Sequence, residues 1–251
     1  MSTANLSHAA RDLAGARSIV VLTGAGVSAE SGIPTFRGGM EALWKSFDPK
    51  TLATPEAFAR DPKTVTEWYD WRRQKCREAI PNKAHRALAA LEERVLGRGG
   101  RFTLLTQNVD RLHHRAGSRN IVELHGNIMQ WRCAATDKPA DVPDGPFRQA
   151  PVASPHHPGA YLRPCVVWFG EALPEAALQA AFESAASCDL FMSVGTSSLV
   201  YPAAGFIDLA ASRGAITIEV NRDPTPISRK VDWSLMGPAG ETLPALLEAV
   251  A

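Results

Sequence analysis

The segment Gly24-Ala25-Gly26-Val27-Ser28-Ala29-Glu30-Ser31-Gly32-Ile33-Pro34-Thr35-Phe36-Arg37 begins one residue after the apolar run from Ile19 to Leu22. Two glycines after a strand are typical of a dinucleotide site, because they let the backbone turn sharply and approach a pyrophosphate. Ala29 fills the third place of a G-x-G-x-x-G/A pattern, and Ser28 is suited to begin a helix whose N-terminus faces phosphates. Ordinary strand-to-helix turns also carry such glycines, so both interpretations stay open at this point.

The continuation of this segment departs from a standard dinucleotide-binding unit. Gly32 and Pro34 interrupt the helix almost as soon as it begins. We therefore expect an ordered loop that carries Phe36 and Arg37 beside the phosphate turn. Such a loop could cover a bound dinucleotide and shape the position of its nicotinamide ring.

Composition describes an ordinary globular chain. Of the 251 residues, 45% are apolar and 21% are charged, and 27 Lys and Arg against 26 Asp and Glu leave a net charge of +1. This balance excludes a disordered chain and indicates neither a nucleic-acid nor a membrane partner. The apolar runs are strand-sized, and the helical pattern at 5–17 lacks the core of a signal peptide, so we expect a cytoplasmic protein. Four widely spaced cysteines without a C-x-x-C pair suit reduced thiols.

Alternating strand and helix patterns predict the fold class. The predicted helices lie at 83–96 and 202–213, and the predicted strands are Ile19 to Leu22, Phe102 to Thr106, Leu190 to Val194 and Ile216 to Val220. This order favours an α/β protein with a Rossmann-like parallel sheet and helices on both faces. We expect that domain to comprise 1–38, 83–127 and 163–251. The insertions 39–82 and 128–162 are expected to form a smaller domain.

Polar clusters follow the predicted strands. They are Gln107-Asn108-Val109-Asp110, Gly195-Thr196-Ser197-Ser198 and Asn221-Arg222-Asp223. Ligands of open α/β sheets bind beyond the carboxyl ends of the strands. Each cluster alone is more often a set of caps and turns, but their coincidence at equivalent strand ends favours one shared site.

Taken together, the motifs resemble those of the sirtuins, the NAD-dependent protein-lysine deacylases. The resemblance covers most of the chain in the family's order, through the 24–37 segment, Thr106-Gln107-Asn108-Val109-Asp110-Arg111-Leu112-His113, Glu123-Leu124-His125-Gly126-Asn127, Leu162-Arg163-Pro164, Val166-Val167-Trp168-Phe169-Gly170-Glu171, Gly195-Thr196-Ser197 and Gly237-Pro238-Ala239-Gly240. It implies NAD as the cofactor and acyl-lysine proteins or peptides as substrates. The residues that it places at NAD are Gly24, Ala25, Gly26, Ser28, Glu30, Thr35, Phe36, Arg37, Gln107, Asn108, Asp110, Gly195, Thr196, Ser197, Asn221 and Ala239.

By this resemblance, the catalytic residues are His125 and Asn108. A neutral imidazole can accept a proton near physiological pH, which a ribose hydroxyl must give up before it attacks an electrophile. His125 follows the strand-like stretch 120–124, where the active edge of the sheet should lie. The remaining histidines are interpreted as surface or capping residues, and these are His8, His85, His113, His114, His156 and His157.

The acyl group is indicated by Tyr69 and Arg72, which are three residues apart and share a face if 67–73 is helical. A phenol and a guanidinium fork suit one carboxylate. The pair resembles the Tyr-x-x-Arg of class III sirtuins, and Ala53 matches their small pocket residue, so we expect removal of succinyl and malonyl groups and also of acetyl groups. An exposed arginine on a solvated helix is the alternative.

The segments 167–171 and 198–202 resemble the two segments between which sirtuins hold the substrate peptide as an added strand. The predicted substrate residues of the first segment are Val167, Trp168, Phe169, Gly170 and Glu171.

The chain departs from the family at its structural zinc site, which is usually built from two C-x-x-C pairs. Only Cys133 stands where that arrangement begins, and Thr136 occupies the place of its partner. A mixed ligand set could come from Cys133, Asp137, His156 and His157, but we favour a module without metal because the spacing of these residues is unusual.

Two other functions stay open, a non-hydrolytic NAD or ADP-ribose-binding regulator and a protein mono-ADP-ribosyltransferase.

Overall fold

The computed structural model describes residues 3–34 and 49–250. Within these residues the main sheet has six strands in the order β3-β2-β1-β7-β8-β9, all parallel, and a second sheet has the antiparallel order β5-β4-β6. The strands are β1 (Ser18–Thr23), β2 (Arg101–Thr106), β3 (Ile121–Glu123), β4 (Gly126–Cys133), β5 (Pro139–Ala140), β6 (Leu162–Val166), β7 (Leu190–Val194), β8 (Ile216–Asn221) and β9 (Trp233–Met236).

Helices cover both faces of the main sheet. The helices are α1 (Thr3–Gly15), α2 (Pro49–Leu52), α3 (Pro55–Arg60), α4 (Pro62–Glu78), α5 (Lys83–Gly97), α6 (Leu112–Ala116), α7 (Glu175–Ala186), α8 (Phe206–Ser212) and α9 (Ala239–Glu248). Side chains alternate along a strand, so Ile19 and Val21 of β1 pack with α1, α5 and α9, while Val20 and Leu22 pack with α7 and α8. Burial on both faces explains why β1 is apolar throughout.

The second sheet packs with α3 and α4 around a core of its own. Phe58, Trp68 and Tyr69 from the helices meet Trp131 of β4 and Leu162 of β6 in this core. Strands β4 and β6 take in residues on both sides of the expected boundaries at 127/128 and 162/163. The small sheet is therefore joined directly to the end of β3, where His125 lies.

The predicted α/β class is confirmed, and each predicted strand is present to within one residue at either end. Four strands of the described residues were not predicted. β4 and β6 contain polar residues and proline, and β5 and β9 have only two and four residues, so none of them shows a clear strand pattern. Within the described ranges, no helix has the length and apolar character needed to cross a membrane.

Candidate active site

The glycine turn after β1 packs against the turn after β7. Gly24 N–H donates to Val194 O at 3.1 Å, and Gly26 N–H donates to Gly195 O at 2.8 Å. A Cβ atom on Gly26 would lie 2.7 Å from Gly195 O, which is too close for a side chain. Gly195 itself has φ +59°, where glycine is favoured. The glycines therefore allow two strand ends to meet at one edge of the sheet.

Ser28 does not cap a helix as predicted. Its hydroxyl donates to Asp110 Oδ2 at 2.7 Å and accepts from Asn108 Nδ2 at 3.2 Å, and it makes no capping hydrogen bond. Two short 3-10 turns, 25–27 and 29–31, replace a helix and end at Gly32 with φ +80°. The predicted interruption is thus confirmed. The predicted residues Thr35, Phe36 and Arg37 lie outside the described residues.

Three side-chain amides connect the strand ends. Asn108 Nδ2 donates to Gly24 O at 3.0 Å, and Gln107 Nε2 donates to Thr196 Oγ1 at 3.1 Å. Asn221 Nδ2 donates to Thr196 O at 2.8 Å. The polar residues that follow β1, β2, β7 and β8 therefore form one connected rim. Such uncharged donors and acceptors could hold ribose hydroxyls and a carboxamide.

The remaining predicted NAD residues border this rim. Ala25 and Ser197 are partly exposed in the turns after β1 and β7. Glu30 Oε1 accepts from Gly240 N–H at 2.9 Å and so ties the glycine turn to the first residues of α9, next to the buried Ala239. The carboxylate of Glu30 therefore fixes the start of a helix, where a negative charge is favourable.

His125 lies between the main sheet and the small sheet. Its Nδ1 is 3.0 Å from Gln107 O, and because a carbonyl only accepts, Nδ1 carries the proton and Nε2 keeps its lone pair. Burial lowers the pKa of His125 below the usual 6.5, although the bond to Gln107 partly opposes this. The imidazole is therefore neutral near pH 7 and able to accept a proton at Nε2.

Two further histidines, His85 and His113, are buried beside the rim. The interpretation of His113 as a surface or capping residue is wrong, because it is 2% exposed and its Nε2 lies 3.0 Å from Thr23 Oγ1. His85 does take part in capping α5 through Asn82, but its Nε2 also lies 3.3 Å from Ser28 Oγ. The centroids of the two rings lie 4.8 Å apart, and the ring planes are tilted by 55°. Sequence reasoning missed this pair because histidine alone carries no burial signal, although His113 belongs to a quoted motif.

The buried His85 is expected to make stability depend on acid pH. Burial lowers its pKa from 6.5 to about 4, so the unfolded chain binds a proton that the folded chain does not. The contribution of His85 to the free energy of unfolding is therefore complete above pH 6.5, the pKa in the unfolded chain. It is lost as the pH falls from 6.5 to about 4, and the total loss from this residue is roughly 3 kcal/mol. Urea unfolding of the wild type and His85→Gln at about pH 7 and about pH 5 tests this. An identical loss of stability in both proteins on acidification would contradict it.

Helix α4 places Tyr69 and Arg72 side by side. Pro62 opens the helix and the Asp61 carboxylate accepts from Thr64 N–H at 3.0 Å, which is an N-cap. Arg72 Cζ lies 5.4 Å from the Tyr69 ring centroid. Burial raises the pKa of Tyr69 to about 12, so its hydroxyl stays protonated and can donate. Arg72 is only partly buried, which leaves its guanidinium within reach of a ligand.

The segment after β6 joins the acyl residues to His125. Val167 N–H donates to His125 O at 3.0 Å, and Phe169 N–H donates to Ala53 O at 2.8 Å. Gly170 has φ +87° and allows the turn that brings Glu171 back to Trp168 N–H, which it accepts at 2.8 Å. The predicted substrate residues of this segment are therefore tied to the main chain of His125 at one end and to that of the buried Ala53 further along.

The other predicted peptide segment, 198–202, exposes a row of apolar side chains. Leu199 is 54% exposed and Tyr201 is 74% exposed. Phe169 in the first segment is also exposed. Exposed apolar side chains of this kind are typical of surfaces that contact a partner.

The surroundings of Cys133 do not fit a zinc ion. Hydrogen bonds from the side chains of Ser154 and Thr136 lower the pKa of the buried Cys133 thiol to about 6. Hydroxyl groups therefore stand beside the thiol where tetrahedral zinc needs further sulfur or nitrogen ligands.

The mixed ligand set is not brought together. Asp137 pairs with Arg132 at 3.2 Å, His156 Nε2 lies 2.7 Å from Pro139 O, and His157 Nδ1 lies 2.8 Å from a main-chain carbonyl. Across residues 3–34 and 49–250, no three His, Cys, Asp or Glu side chains form a group that could hold a metal.

Comparison with known proteins places this geometry in a family. A model of the Sir2 family matches residues 24–202. A Pseudomonas aeruginosa protein named NAD-dependent protein deacylase 1 is 52% identical over 241 residues, which cover 94% of this chain and 95% of that protein. A solved Sir2 homologue in complex with NAD is 44% identical with a TM-score of 0.88, covering 96% of this chain and 92% of that one.

A Sir2 homologue mutant in complex with 2′-O-acetyl ADP ribose is equally similar. It is 44% identical with a TM-score of 0.89, and the match covers 100% of this chain and 96% of that one. The family match extends over most of the chain and the structural match over all of it. The chain therefore belongs to the Sir2 family, the sirtuins.

Proposed function

We propose that this protein is an NAD-dependent protein-lysine deacylase that removes succinyl, malonyl and acetyl groups from lysine. The observation that carries the proposal is the neutral imidazole of His125, whose Nδ1–H donates to Gln107 O beside the rim of strand-end amides. The relatives named NAD-dependent protein deacylase support the same activity. We also propose a cytoplasmic location, which the free cysteines support.

The proposed NAD site is the rim itself, and the two segments 24–26 and 195–197 are proposed to hold the dinucleotide at the glycine turns. Gln107, Asn108 and Asp110 are proposed to lie at the nicotinamide half. Burial raises the pKa of Asp110, and the hydrogen bonds that Leu112 N–H and Ser28 Oγ donate to its carboxyl oppose that rise. The other residues predicted to contact NAD, including Ala239 and residues 35–37, are proposed to have the roles that the resemblance to sirtuins implies.

His125 is proposed to act as the general base. Bound NAD would supply an electrophilic ribose carbon and accept the acyl group, and one water would be consumed to release the lysine amine, so that nicotinamide, free lysine and O-acyl-ADP-ribose leave. The His125 Nε2 lone pair is free to take a proton from a ribose hydroxyl, while Gln107 O holds the ring in the required tautomer. Asn108, fixed by Gly24 O and Ser28 Oγ, is proposed to orient the reacting groups.

The acyl preference is proposed from the α4 clamp, by which we mean Tyr69 and Arg72. A protonated phenol and a guanidinium can both donate to one carboxylate, and a buried carboxylate needs such partners. Ala53 is buried in the same core as Tyr69, and its small side chain is proposed to leave room for the acyl group. The substrate peptide is proposed to pair with the main chain of 167–171 and 198–202.

We also propose that the chain divides into a dinucleotide-binding domain and a smaller domain that is built from two insertions.

A peptide series tests the proposed function. The protein is incubated with NAD and with acetyl-, malonyl- and succinyl-lysine peptides of one sequence, and the products are followed by mass spectrometry. The expected result is loss of the acyl mass from each peptide together with formation of an acyl-ADP-ribose. A gain of ADP-ribose mass on the acceptor would instead indicate mono-ADP-ribosyl transfer, and binding of NAD without any turnover would indicate a regulator.

A further inference from the structure

Aromatic rings surround the α4 clamp. The Trp68 ring centroid lies 4.7 Å from that of Tyr69, and Arg72 Cζ lies 4.7 Å from the Trp68 centroid. On a helix, positions 68 and 72 share a face, as do 69 and 72, so these three side chains form one surface. Trp168, from the segment after β6, adds another ring at 6.1 Å from Tyr69.

Trp168 is held in place from several sides. Its main-chain N–H donates to Glu171 Oε2 at 2.8 Å, and Arg163 Cζ lies 3.4 Å from the centroid of its indole ring. Arg163 in turn donates to both carboxylate oxygens of Glu171, at 2.6 and 2.8 Å. A cation over the ring and a bidentate ion pair behind it fix the rotamer of this side chain. A group held in this way is ready to bind without first losing side-chain freedom.

The indole N–H of Trp168 is buried without a hydrogen bond. The residue is 2% exposed, and no acceptor in the described part of the chain meets its Nε1. Buried polar groups nearly always have a partner, so an unpaired donor requires an explanation. The ring centroids of Trp168 and Tyr69 lie 6.1 Å apart, and Trp168 opposes the rise that burial causes in the pKa of the Tyr69 hydroxyl, so the two polar groups are neighbours. An acceptor that meets the Tyr69 hydroxyl therefore lies within reach of the indole.

We infer that the Trp168 Nε1–H is a third donor of the acyl subsite and binds the distal carboxylate of a succinyl or malonyl group together with Tyr69 and Arg72. This inference rests on the proposed function. An ionised carboxylate has about four acceptor positions, so it can receive a phenol, a guanidinium and an indole at once. An acetyl group has no distal carboxylate, so the Trp168 N–H favours succinyl and malonyl groups over an acetyl group.

Removal of the N–H with retention of the ring tests the inference. We expect Trp168→Phe to lower the ratio of kcat/KM for succinyl-lysine over acetyl-lysine peptide by roughly tenfold, since hydrogen bonds to charged groups are the strong ones. Incorporation of 3-benzothienylalanine at position 168, which keeps the shape of tryptophan and lacks the N–H, should lower the ratio similarly. This second variant keeps the test valid if Trp168→Phe fails to fold.

Two other tryptophans serve as matched comparisons, because Trp131 Nε1 and Trp68 Nε1 are also buried without a hydrogen bond among the described residues. Trp131 packs on Phe147 at 4.8 Å and on Arg73, so Trp131→Phe should leave the ratio unchanged. A ratio that is unchanged in both position-168 variants overturns the inference. So does a tenfold loss that appears with Trp68→Phe and not at position 168. If the wild type removes no acyl group with NAD, the proposed function has failed, and that result is distinct from both of these.

Discussion

Replacing His125 with alanine is expected to lower kcat/KM for every acyl-lysine peptide by roughly 1,000-fold, within the range by which general bases contribute to catalysis. His125 is partly exposed, and among residues 3–34 and 49–250 its ring makes one hydrogen bond, to Gln107 O at 3.0 Å, so its loss should leave the fold intact. The variant should therefore keep the circular dichroism spectrum and melting temperature of the wild type while it loses turnover. Nicotinamide release under steady-state conditions provides the measurement.

The control for this variant is His157→Ala. His157 is exposed, and its Nδ1 lies near a main-chain carbonyl of the next residue, so the alanine should leave turnover at the level of the wild type. Retention of near-normal turnover by His125→Ala would remove His125 as the base. A similar loss in both variants would show that the assay does not report on the site.

Replacing Arg72 with methionine is expected to reverse the acyl preference. The ratio of kcat/KM for succinyl-lysine over acetyl-lysine should fall by roughly 100-fold or more, because a buried carboxylate that loses its cationic partner is strongly destabilised. Methionine keeps an unbranched apolar side chain without the charge, and the Trp68 ring that lies 4.7 Å from Arg72 Cζ can still pack against it. The change should appear mainly in the reaction of the acidic acyl peptide.

Arg77→Met is the matched comparison on the same helix. Arg77 is exposed and pairs with Asp144 at 2.9 Å, in the last turn of α4. Its replacement should leave the succinyl-to-acetyl ratio at the wild-type value. If Arg72→Met also leaves that ratio unchanged, the α4 clamp does not select the acyl group, and the alternative of an ordinary surface arginine stands.

The parts of the fold that follow from local pattern could be predicted from the sequence. Ile19 to Leu22 are apolar in succession because both faces of β1 are buried, and the alternation with helices then specifies a parallel sheet. The interruption at Gly32 also follows from residue type, since glycine favours the φ of +80° found there.

Contacts between distant segments could not be predicted in this way. Ser28 has the side chain of a helix cap, but its hydroxyl donates a hydrogen bond to Asp110, 82 residues further along the chain. Pairing of β4 with β6 joins two stretches without strand periodicity. The same holds for Trp168, because only the fold places it between Arg163 and Tyr69. Sequence pattern reports burial and period along one segment and carries no information about such partners.

The need for NAD tests the central claim most directly. Purified protein is incubated with a succinyl-lysine peptide in the presence and absence of NAD, and nicotinamide and free-lysine peptide are quantified together. The account predicts no loss of acyl groups without NAD, and equal amounts of nicotinamide and free-lysine peptide with it. Removal of the acyl group at the same rate when NAD is left out would contradict the account.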